Sequence, residues 1–458
     1  MRKLSVFLVL FLALGTLSAA SLAAEQADLS QSQMPSVVTV PPEAQPSAHF
    51  DPEAATRAYL AQIPPAARAR SNAYFEGGYW FLLWDFLMSV ATFWILLRFG
   101  LSAKMRDLAE RLTRFRPLQT LLYWIQFSLF GFGLGFPLAA YEGFFRERKY
   151  GLATQTFGPW AFDQLKDLLI TIVLGGIFAI VLVGIVRRLS NSWHVWGAVV
   201  CILFTIFTVM IAPVYLLPMF NTVKRLDDPK ITAPILSMAR ANGIPAHDVF
   251  EVDASRQSTR MSANVSGFGK TMRITLNDNL LRRGSPEEIQ AVMGHEMGHY
   301  VLNHIYKSMI FLLLVIISFF AILRWGLYSG YARWGADWGL RAPTDLAAIP
   351  WVFLIGTIFF FILTPIANTD TRTAEAEADI FGINASRQPD GFAQAAIHLG
   401  EYRKMDPGPV EEWIFFDHPS GRNRIYRAMQ WKAENLKLFE APAPPAPQVA
   451  TPAPSPKP

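Results

Sequence analysis

The sequence contains little cysteine and little charge. Cys201 is the only cysteine in 458 residues, so no intrachain disulfide can form, and its place in an apolar run predicts a packing role. Charged residues make up 17 % of the chain, whereas an ordinary soluble domain carries about a quarter. The sequence also lacks any run of five like charges and any basic stripe interleaved with aromatic residues. These absences argue against a nucleic-acid partner and against a wholly soluble protein.

Long apolar runs are what the chain has instead. Hydrophobic residues make up 52 % of it, and they gather in runs almost free of charge rather than on one face of each helix. Each run is near the roughly 20 residues that a helix needs to cross a bilayer. The sequence therefore predicts a mainly α, polytopic membrane protein. The six runs are Tyr79–Phe99, Leu118–Tyr141, Leu168–Val186, Val195–Leu217, Ser308–Leu327 and Ile349–Ile366.

The N-terminal region carries a further apolar stretch. Two basic residues precede the uncharged run Leu4–Ala24, a pattern typical of a secretory signal peptide. The run is also long enough to be a membrane helix at the start of the chain, which would bring the number of spans to seven. Both interpretations stay open. Residues 25–70 are rich in Pro, Ala, Gln and Ser and predict a poorly packed segment, with one short amphipathic helix around Asp51–Leu60.

A polar segment, 218–307, lies between the fourth and fifth apolar runs. A capped start and a glycine stop predict a helix over Asp228–Asn242. Alternation of apolar and polar residues predicts short strands at Val249–Asp253 and Met272–Asn277. A Ser-Pro-Glu-Glu start then predicts a helix that runs from residue 286 to beyond His304.

This last helix carries the motif His295-Glu296-Met297-Gly298-His299. Residues four apart lie on one helix face, so the imidazoles of His295 and His299 can reach one metal ion. Glu296 lies beside them and can take a proton from the water that a zinc ion activates. The spacing therefore predicts a zinc hydrolase site.

Zinc hydrolases have a third protein ligand and an open fourth position. One known solution places a histidine six residues after the second, but Ile305 stands there; His304 is one position off and is more typical of a neighbouring or surface residue. A better candidate is the pair Glu375 and Asp379, which share a helix face: one acid could bind the metal while the other hydrogen-bonds a ligand histidine. Glu377 would point elsewhere. By itself, a helix rich in Glu and Asp is more often a solvated face than a metal site.

Several motifs together resemble the type I CAAX prenyl protease family, integral-membrane zinc peptidases related to the HtpX-type bacterial proteases. The likeness runs from about residue 50 to 435. The motifs are Arg372-x-x-Glu375-x-x-Ala378-Asp379, His295–His299 ending at His304, Asp417-His418-Pro419 followed by Arg424, Gly267-Phe268-x-Lys270 with Arg273-Ile274-x-Leu276, Leu280-Leu281, and Arg148–Leu152 with Gln155-Thr156-Phe157.

The resemblance implies a role for each matching residue. It implies His295, His299 and Glu375 as ligands of one Zn²⁺ per chain. Glu296 would be the general base and then the proton donor to the leaving amine, and Asp379 would support the metal site.

Three further residues carry expectations about the substrate. His418 would stabilise the oxyanion or hold the substrate carbonyl, and Arg372 would pair with a carboxylate near the metal and contribute to substrate binding. The family has Asn-Ala-Tyr before the Gly-Phe pair, and its asparagine contacts the substrate backbone. This chain has Ser262-Ala263-Asn264 there, so either Ser262 or Asn264 would take that place.

The family further implies a gluzincin-type α+β zinc-peptidase domain that closes one end of a hollow chamber of membrane helices. The predicted parts are a signal peptide or first helix (1–24), a poorly ordered segment (25–70), four spans (71–217), the zinc-peptidase domain (218–307), two spans (308–367), the rest of the peptidase domain with the third ligand (368–440) and a Pro/Ala-rich tail (441–458).

The predicted location is a multi-pass cell (inner) membrane, with membrane lipid as a partner. Arg2 and Lys3 place the N-terminus inside. Alternation then puts nine basic residues in the cytoplasmic loops and four in the short opposite loop, which favours a periplasmic peptidase domain. The eukaryotic family members face the cytosol, so the side stays open.

The sequence therefore predicts a membrane-embedded zinc metalloendopeptidase, acting in CAAX-type C-terminal processing or in membrane-protein quality control. Its substrate would be a peptide or membrane protein, lipidated or not. An intramembrane zinc protease is disfavoured because the motif lies in a polar stretch. A non-catalytic zinc-containing transporter or scaffold is the remaining alternative, although a structural zinc site is typically closed by four ligands.

Overall fold

The computed structural model describes residues 33–189, 191–266 and 272–439. Within them the chain is mostly helical, with one four-stranded sheet. The predictions for Leu4–Ala24, for the Gly267–Lys270 motif and for the tail 441–458 fall outside the described residues.

Six helices of the described chain are long and apolar enough to cross a membrane, and each overlaps one of the predicted runs. Their surfaces expose many large apolar side chains, as lipid-facing helices do; Trp325 is 70 % exposed. The prediction of a polytopic membrane protein is confirmed. The helices are α2 (Pro65–Arg98), α4 (Arg116–Ala140, continued to Lys149), α5 (Phe157–Arg188), α6 (Trp193–Ile211), α10 (His304–Trp334) and α11 (Ile349–Ser386).

Helix α11 is longer than its predicted membrane span. Its 38 residues reach about 57 Å, against roughly 30 Å for the hydrocarbon core. Pro365 lies inside the helix without ending it, and the Pro365 carbonyl accepts a hydrogen bond from Thr369 Oγ1 at 2.7 Å. The predicted domain boundary at 367/368 therefore lies inside one continuous helix. This helix carries Glu375 and Asp379 out of the apolar region.

The polar segment forms a small α+β unit. Its sheet has the order β1-β2-β4-β3, with β2 parallel to β4 and the other pairs antiparallel, so β3 lies at an edge. The predicted first helix and both predicted strands are present. The elements are β1 (Val223–Arg225), α7 (Pro229–Ala241), β2 (Val249–Val252), β3 (Ala263–Ser266), β4 (Arg273–Asn277), α8 (Asp278–Arg283) and α9 (Pro286–Val301).

Helix α9 carries the histidine motif and begins as predicted. Ser285 Oγ accepts a hydrogen bond from the Glu288 backbone nitrogen, and the Glu288 side chain accepts one from Ser285 in return, a capping box. The predicted continuation beyond His304 is wrong. Asn303 adopts a left-handed conformation (φ 59°), which asparagine tolerates better than most residues, and α10 starts in a new direction at His304.

The prediction that residues 25–70 are poorly packed is also wrong for the described part. Residues 33–63, here called the N-terminal strap, pack against the last helices of the chain and share one apolar core with them. Tyr59 is fully buried and donates a hydrogen bond to Asp390 at 2.8 Å. The short helix expected around residues 51–60 is α1 (Pro52–Ala61). The prediction failed because Met34, Val38 and Ala44 are buried without a helical or strand period.

The remaining helices complete the fold. Helix α12 (Pro389–Leu399) packs against both α9 and α14 (Gly421–Glu434), so the C-terminal helices cover the motif helix. The other helices not yet named are α3 (Leu101–Leu112) and α13 (Pro409–Phe415).

Candidate active site

Helices α9 and α11 cross with almost no side chain between them. A Cβ on Gly294 would lie 2.7 Å from the Gly382 carbonyl oxygen, and one on Gly298 would lie 3.1 Å from Ala378 Cα. Small residues four apart on both helices allow this close approach. The crossing brings the face that carries the two histidines to the face that carries the two acids.

Three side chains converge at this crossing. Nε2 of His295 lies 3.2 Å from Nε2 of His299 and 3.2 Å from Oε2 of Glu375. Nε2 of His299 lies 3.4 Å from the other oxygen of Glu375. The three donor atoms lie within 4.8 Å of one another, as one metal ion requires.

Asp379 contacts His295 on the Nδ1 side of the ring, opposite the converging Nε2 atom. Its Oδ1 lies 2.8 Å from His295 Nδ1, and Arg424 donates to both oxygens of Asp379, at 2.6 and 3.1 Å. Asp379 is completely buried. A carboxylate that accepts from Nδ1 directs Nε2 of the ring toward a metal.

The arrangement fits a zinc ion. Oε2 of Glu375 is buried and lies 3.2 Å from His295 Nε2 and 3.3 Å from His418 Nε2, without hydrogen-bonding geometry to either. Two imidazoles and one carboxylate are a catalytic zinc donor set that leaves a fourth position for water or substrate.

Burial and neighbouring charges shift the pKa values of the histidines and of Glu296. Burial lowers the pKa of His295, but the hydrogen bond with Asp379 and the Glu375 carboxylate outweigh it and raise the pKa to about 9. Burial and the charge on His295 lower the pKa of His299 to about 4. Burial raises the pKa of Glu296 to about 7, which suits a group that must both take and return a proton.

The site opens into a cavity of about 200 Å³. Glu296 and His418 both line it, together with His295 and Glu375. Nδ1 of His418 lies 2.8 Å from Oδ1 of Asp417, so this ring is oriented by its chain neighbour. His418 therefore lines the same cavity as Glu296, and its role toward the substrate stays a prediction.

Of the two residues expected near the substrate backbone, Ser262 lines this cavity. Asn264 lies two residues further, exposed on the edge strand β3 and paired in register with Thr275. The structure thus brings Ser262, rather than Asn264, to the cavity that holds Glu296.

The expectation that Arg372 pairs with a carboxylate near the metal is wrong, whereas its expected part in substrate binding stays a prediction. Its guanidinium donates to the backbone carbonyls of Phe416 at 2.6 Å and Glu412 at 3.0 Å, and so holds the end of α13 rather than a carboxylate. The arginine that pairs with an acid at the site is Arg424, 45 residues after Asp379. Its place in the motif after Asp417-His418-Pro419 was the only sequence signal for it.

Fold and site together define a polytopic membrane metallopeptidase, and comparisons with known proteins agree. Residues 225–432 match Peptidase family M48, and residues 52–222 match the CAAX prenyl protease N-terminal family with five membrane helices. The chain belongs to peptidase family M48 and, within it, to the type I CAAX prenyl protease family. It is a metalloendopeptidase.

Two relatives and one solved structure illustrate the similarity. The uncharacterized metalloprotease YhfN of Bacillus subtilis is 30 % identical over 73 % of this chain and 79 % of its own length. CAAX prenyl protease 1 of Saccharomyces cerevisiae is 27 % identical over 66 % of this chain and 70 % of its own. The crystal structure of S. mikatae Ste24p superposes with a TM-score of 0.71 at 21 % identity, over 89 % of this chain and 97 % of that one, and shows the shared fold.

Proposed function

We propose that this chain is a zinc endopeptidase of membrane-anchored polypeptides, with His295, His299 and Glu375 as the ligands of one Zn²⁺. The observation that carries the proposal is the convergence of these three donors within 4.8 Å, beside Glu296 in the same cavity. A bound zinc ion supplies Lewis-acid activation of a water and of the scissile carbonyl.

The other residues have roles in moving the proton and holding charge. Glu296 takes the proton of the attacking water as the new carbon–oxygen bond forms, and gives it to the amine nitrogen as the carbon–nitrogen bond breaks. His418 donates a hydrogen bond from Nε2 to the oxyanion that develops on the carbonyl. Asp379, anchored by Arg424, keeps His295 oriented throughout.

We propose that the substrate backbone binds along the edge strand β3. Among the described strands it pairs with β4 alone, so its other edge can accept an extended peptide as a further strand. Ser262 lies at the end of this edge that meets the cavity, and we assign it the contact that the family's asparagine makes.

Hydrolysis of paired peptides by the purified, detergent-solubilised protein tests the proposal. One peptide carries a prenylated C-terminal cysteine motif and its partner is unprenylated. We expect cleavage that a chelator abolishes, that zinc restores, and that Glu296→Gln lacks while retaining one bound zinc. A protein that folds but binds no zinc would overturn the proposal, and the rate ratio of the two peptides separates CAAX-type processing from general proteolysis.

We further propose that the site faces the extracytoplasmic side. The charge pattern of residues 1–24 predicts export of the segment that follows, whether Leu4–Ala24 is a signal peptide or a membrane helix. That segment includes the N-terminal strap, which packs on the helices that cover the site. Four membrane spans lie between the strap and the peptidase unit. An even number of spans returns the chain to the side of the membrane on which it started, as the contact between the strap and the covering helices requires.

Cysteine labelling of whole cells tests the side. In a Cys201→Ser background, Val37→Cys places a thiol on the strap, where Val37 is 73 % exposed. Leu112→Cys places one between α2 and α4 on the opposite side, where Leu112 is 64 % exposed. A membrane-impermeant maleimide is expected to label the first and spare the second; the reverse pattern would put the site in the cytosol.

A further inference from the structure

His304 contacts a candidate zinc ligand although the sequence spacing is unfavourable for it. Its Nδ1 lies 3.0 Å from Nδ1 of His299, and its side chain is almost fully buried. On a continuous helix, residues five apart point about 140° away from each other. The contact exists because the left-handed Asn303 (φ 59°) ends α9 and turns the first residue of α10 back toward the site.

The other side of the His304 ring is held by α11. Its Nε2 lies 3.0 Å from Oε2 of Glu377, and Lys307 Nζ lies 2.6 Å from the same oxygen. Glu377 is two residues after Glu375, so it leaves α11 on a different side from the metal-site acids. The contacts from His299 through His304 to Glu377 therefore connect α9, which carries His299, to α11, which carries Glu375.

The contacts indicate which nitrogen of each ring carries the proton when His304 is neutral. An ionised carboxylate only accepts hydrogen bonds, so His304 donates to Glu377 from Nε2. The Nδ1 of a neutral His304 is then an acceptor, and the neighbouring Nδ1–H of His299 donates to it. This arrangement leaves Nε2 of His299, the atom that faces His295 and Glu375, with its lone pair free for a metal.

We infer that His304 and Glu377 are positioning residues that set the tautomer and ring orientation of His299, as Asp379 does for His295. The inference rests on the proposed ligand set. The two ligand histidines are held by different partners, a buried carboxylate for His295 and a carboxylate acting through a second imidazole for His299.

Zinc affinity of the full-length protein in detergent, measured by competition with a chromophoric chelator, tests the inference. Loss of a group that orients a metal ligand costs about 10–100-fold in affinity, and we expect this for His304→Ala. Glu377→Ala should lose about tenfold, whereas Glu377→Gln keeps an acceptor oxygen and should restore most of the affinity.

Matched controls remove equivalent contacts elsewhere. His398 is also a buried histidine, with Nδ1 2.7 Å from Glu288, and Glu110 is a half-buried glutamate 2.8 Å from Arg341. We expect His398→Ala and Glu110→Ala to bind zinc as the wild type does. The Glu377 side chain is 45 % exposed, so its removal should leave folding intact and keeps the test decisive if His304→Ala fails to fold.

Two failures are distinguishable. If the wild type binds no zinc, or if His299→Ala binds it unchanged, the proposed ligand set is wrong. If the wild type binds zinc and His299→Ala does not, but the Glu377→Ala affinity is within twofold of the wild type, only the positioning inference is overturned. Equal loss in Glu377→Gln and Glu377→Ala would likewise overturn it, because the acceptor atom would then be irrelevant.

Discussion

A Cβ atom on Gly382 would lie 2.5 Å from the backbone nitrogen of His295, closer than any real Cβ contact. The distance between the first candidate ligand and the helix that carries Glu375 is thus set by a residue without a side chain. The histidine motif on α9 supplies two of the proposed ligands and α11 supplies the third, and the close packing of the two helices brings all three donor atoms within 4.8 Å of one another.

Gly382→Ala should separate these two helices. Overpacking of a tight contact typically costs about 1–3 kcal/mol, and a comparable loss at the ligands would lower zinc affinity by about tenfold or more. Thermal unfolding and chelator competition measure the two effects. Gly184→Ala is the control because nothing lies within 4 Å of its Cβ position. Wild-type zinc affinity in Gly382→Ala would show that the crossing does not set the site.

Arg424→Met should be strongly destabilising because it leaves the buried charge of Asp379 with His295 alone. Breaking a buried ion pair on one side costs about 3–5 kcal/mol. Arg422→Met is a matched control two residues away: its pair with Glu53 is short, at 2.6 Å, but both side chains are more than a third exposed, so about 0–1 kcal/mol is expected. Denaturant unfolding measures both variants, and similar losses would contradict the assigned role of the Asp379 contact.

Zinc binding should release one proton from His295 over much of the neutral range. The pKa of His295 is about 9 in the metal-free site, so below that pH an incoming cation must displace the proton on Nε2. The pKa of His299 is about 4, so this residue releases none near neutrality. Apparent affinity should therefore rise with pH up to about 9 and then level off.

Calorimetry in buffers of different ionisation enthalpy counts the released protons. At pH 8, above the pKa of about 7 for Glu296, we expect a count near one. Asp379→Asn removes the main hydrogen bond that raises the His295 pKa and should lower the count. A count of zero in the wild type would mean that His295 is already neutral.

Asp390→Ala should destabilise the packing of the N-terminal strap. Asp390 accepts from Tyr59 at 2.8 Å and pairs with Lys432, whose side chain is 2 % exposed. Among the described residues, the variant leaves the buried ammonium with the Ala44 carbonyl as its one hydrogen-bond acceptor, at a cost of about 3–5 kcal/mol. Asp406→Ala, at a side chain that is 68 % exposed, should change stability by less than about 0.5 kcal/mol. Faster proteolysis within residues 33–63 of Asp390→Ala would locate the effect.

Local patterns in the sequence predicted the local parts of this structure. The i, i+4 spacings of His295 with His299 and of Glu375 with Asp379 hold because both pairs lie on regular helices. Long apolar runs predicted all six described spans, because a membrane helix needs little beyond length and composition.

The contacts that the sequence could not predict join distant segments. The guanidinium on Asp379 comes from Arg424 rather than Arg372, and no local period distinguishes the two arginines. The Gly294-x-x-x-Gly298 and Ala378-x-x-x-Gly382 spacings were visible as small-residue pairs, but only the structure shows that they face each other.

The continuity of α11 has a consequence for biosynthesis. His295 and His299 are synthesised before the last two spans, and Glu375 follows them on the far end of the second. The C-terminal helices that then cover the site also complete the core with the strap, made at the very start of the described chain. A ribosome-bound chain therefore lacks Glu375, one of the three proposed zinc ligands, until its final hairpin has been inserted, and we expect it to have no peptidase activity during its own membrane insertion.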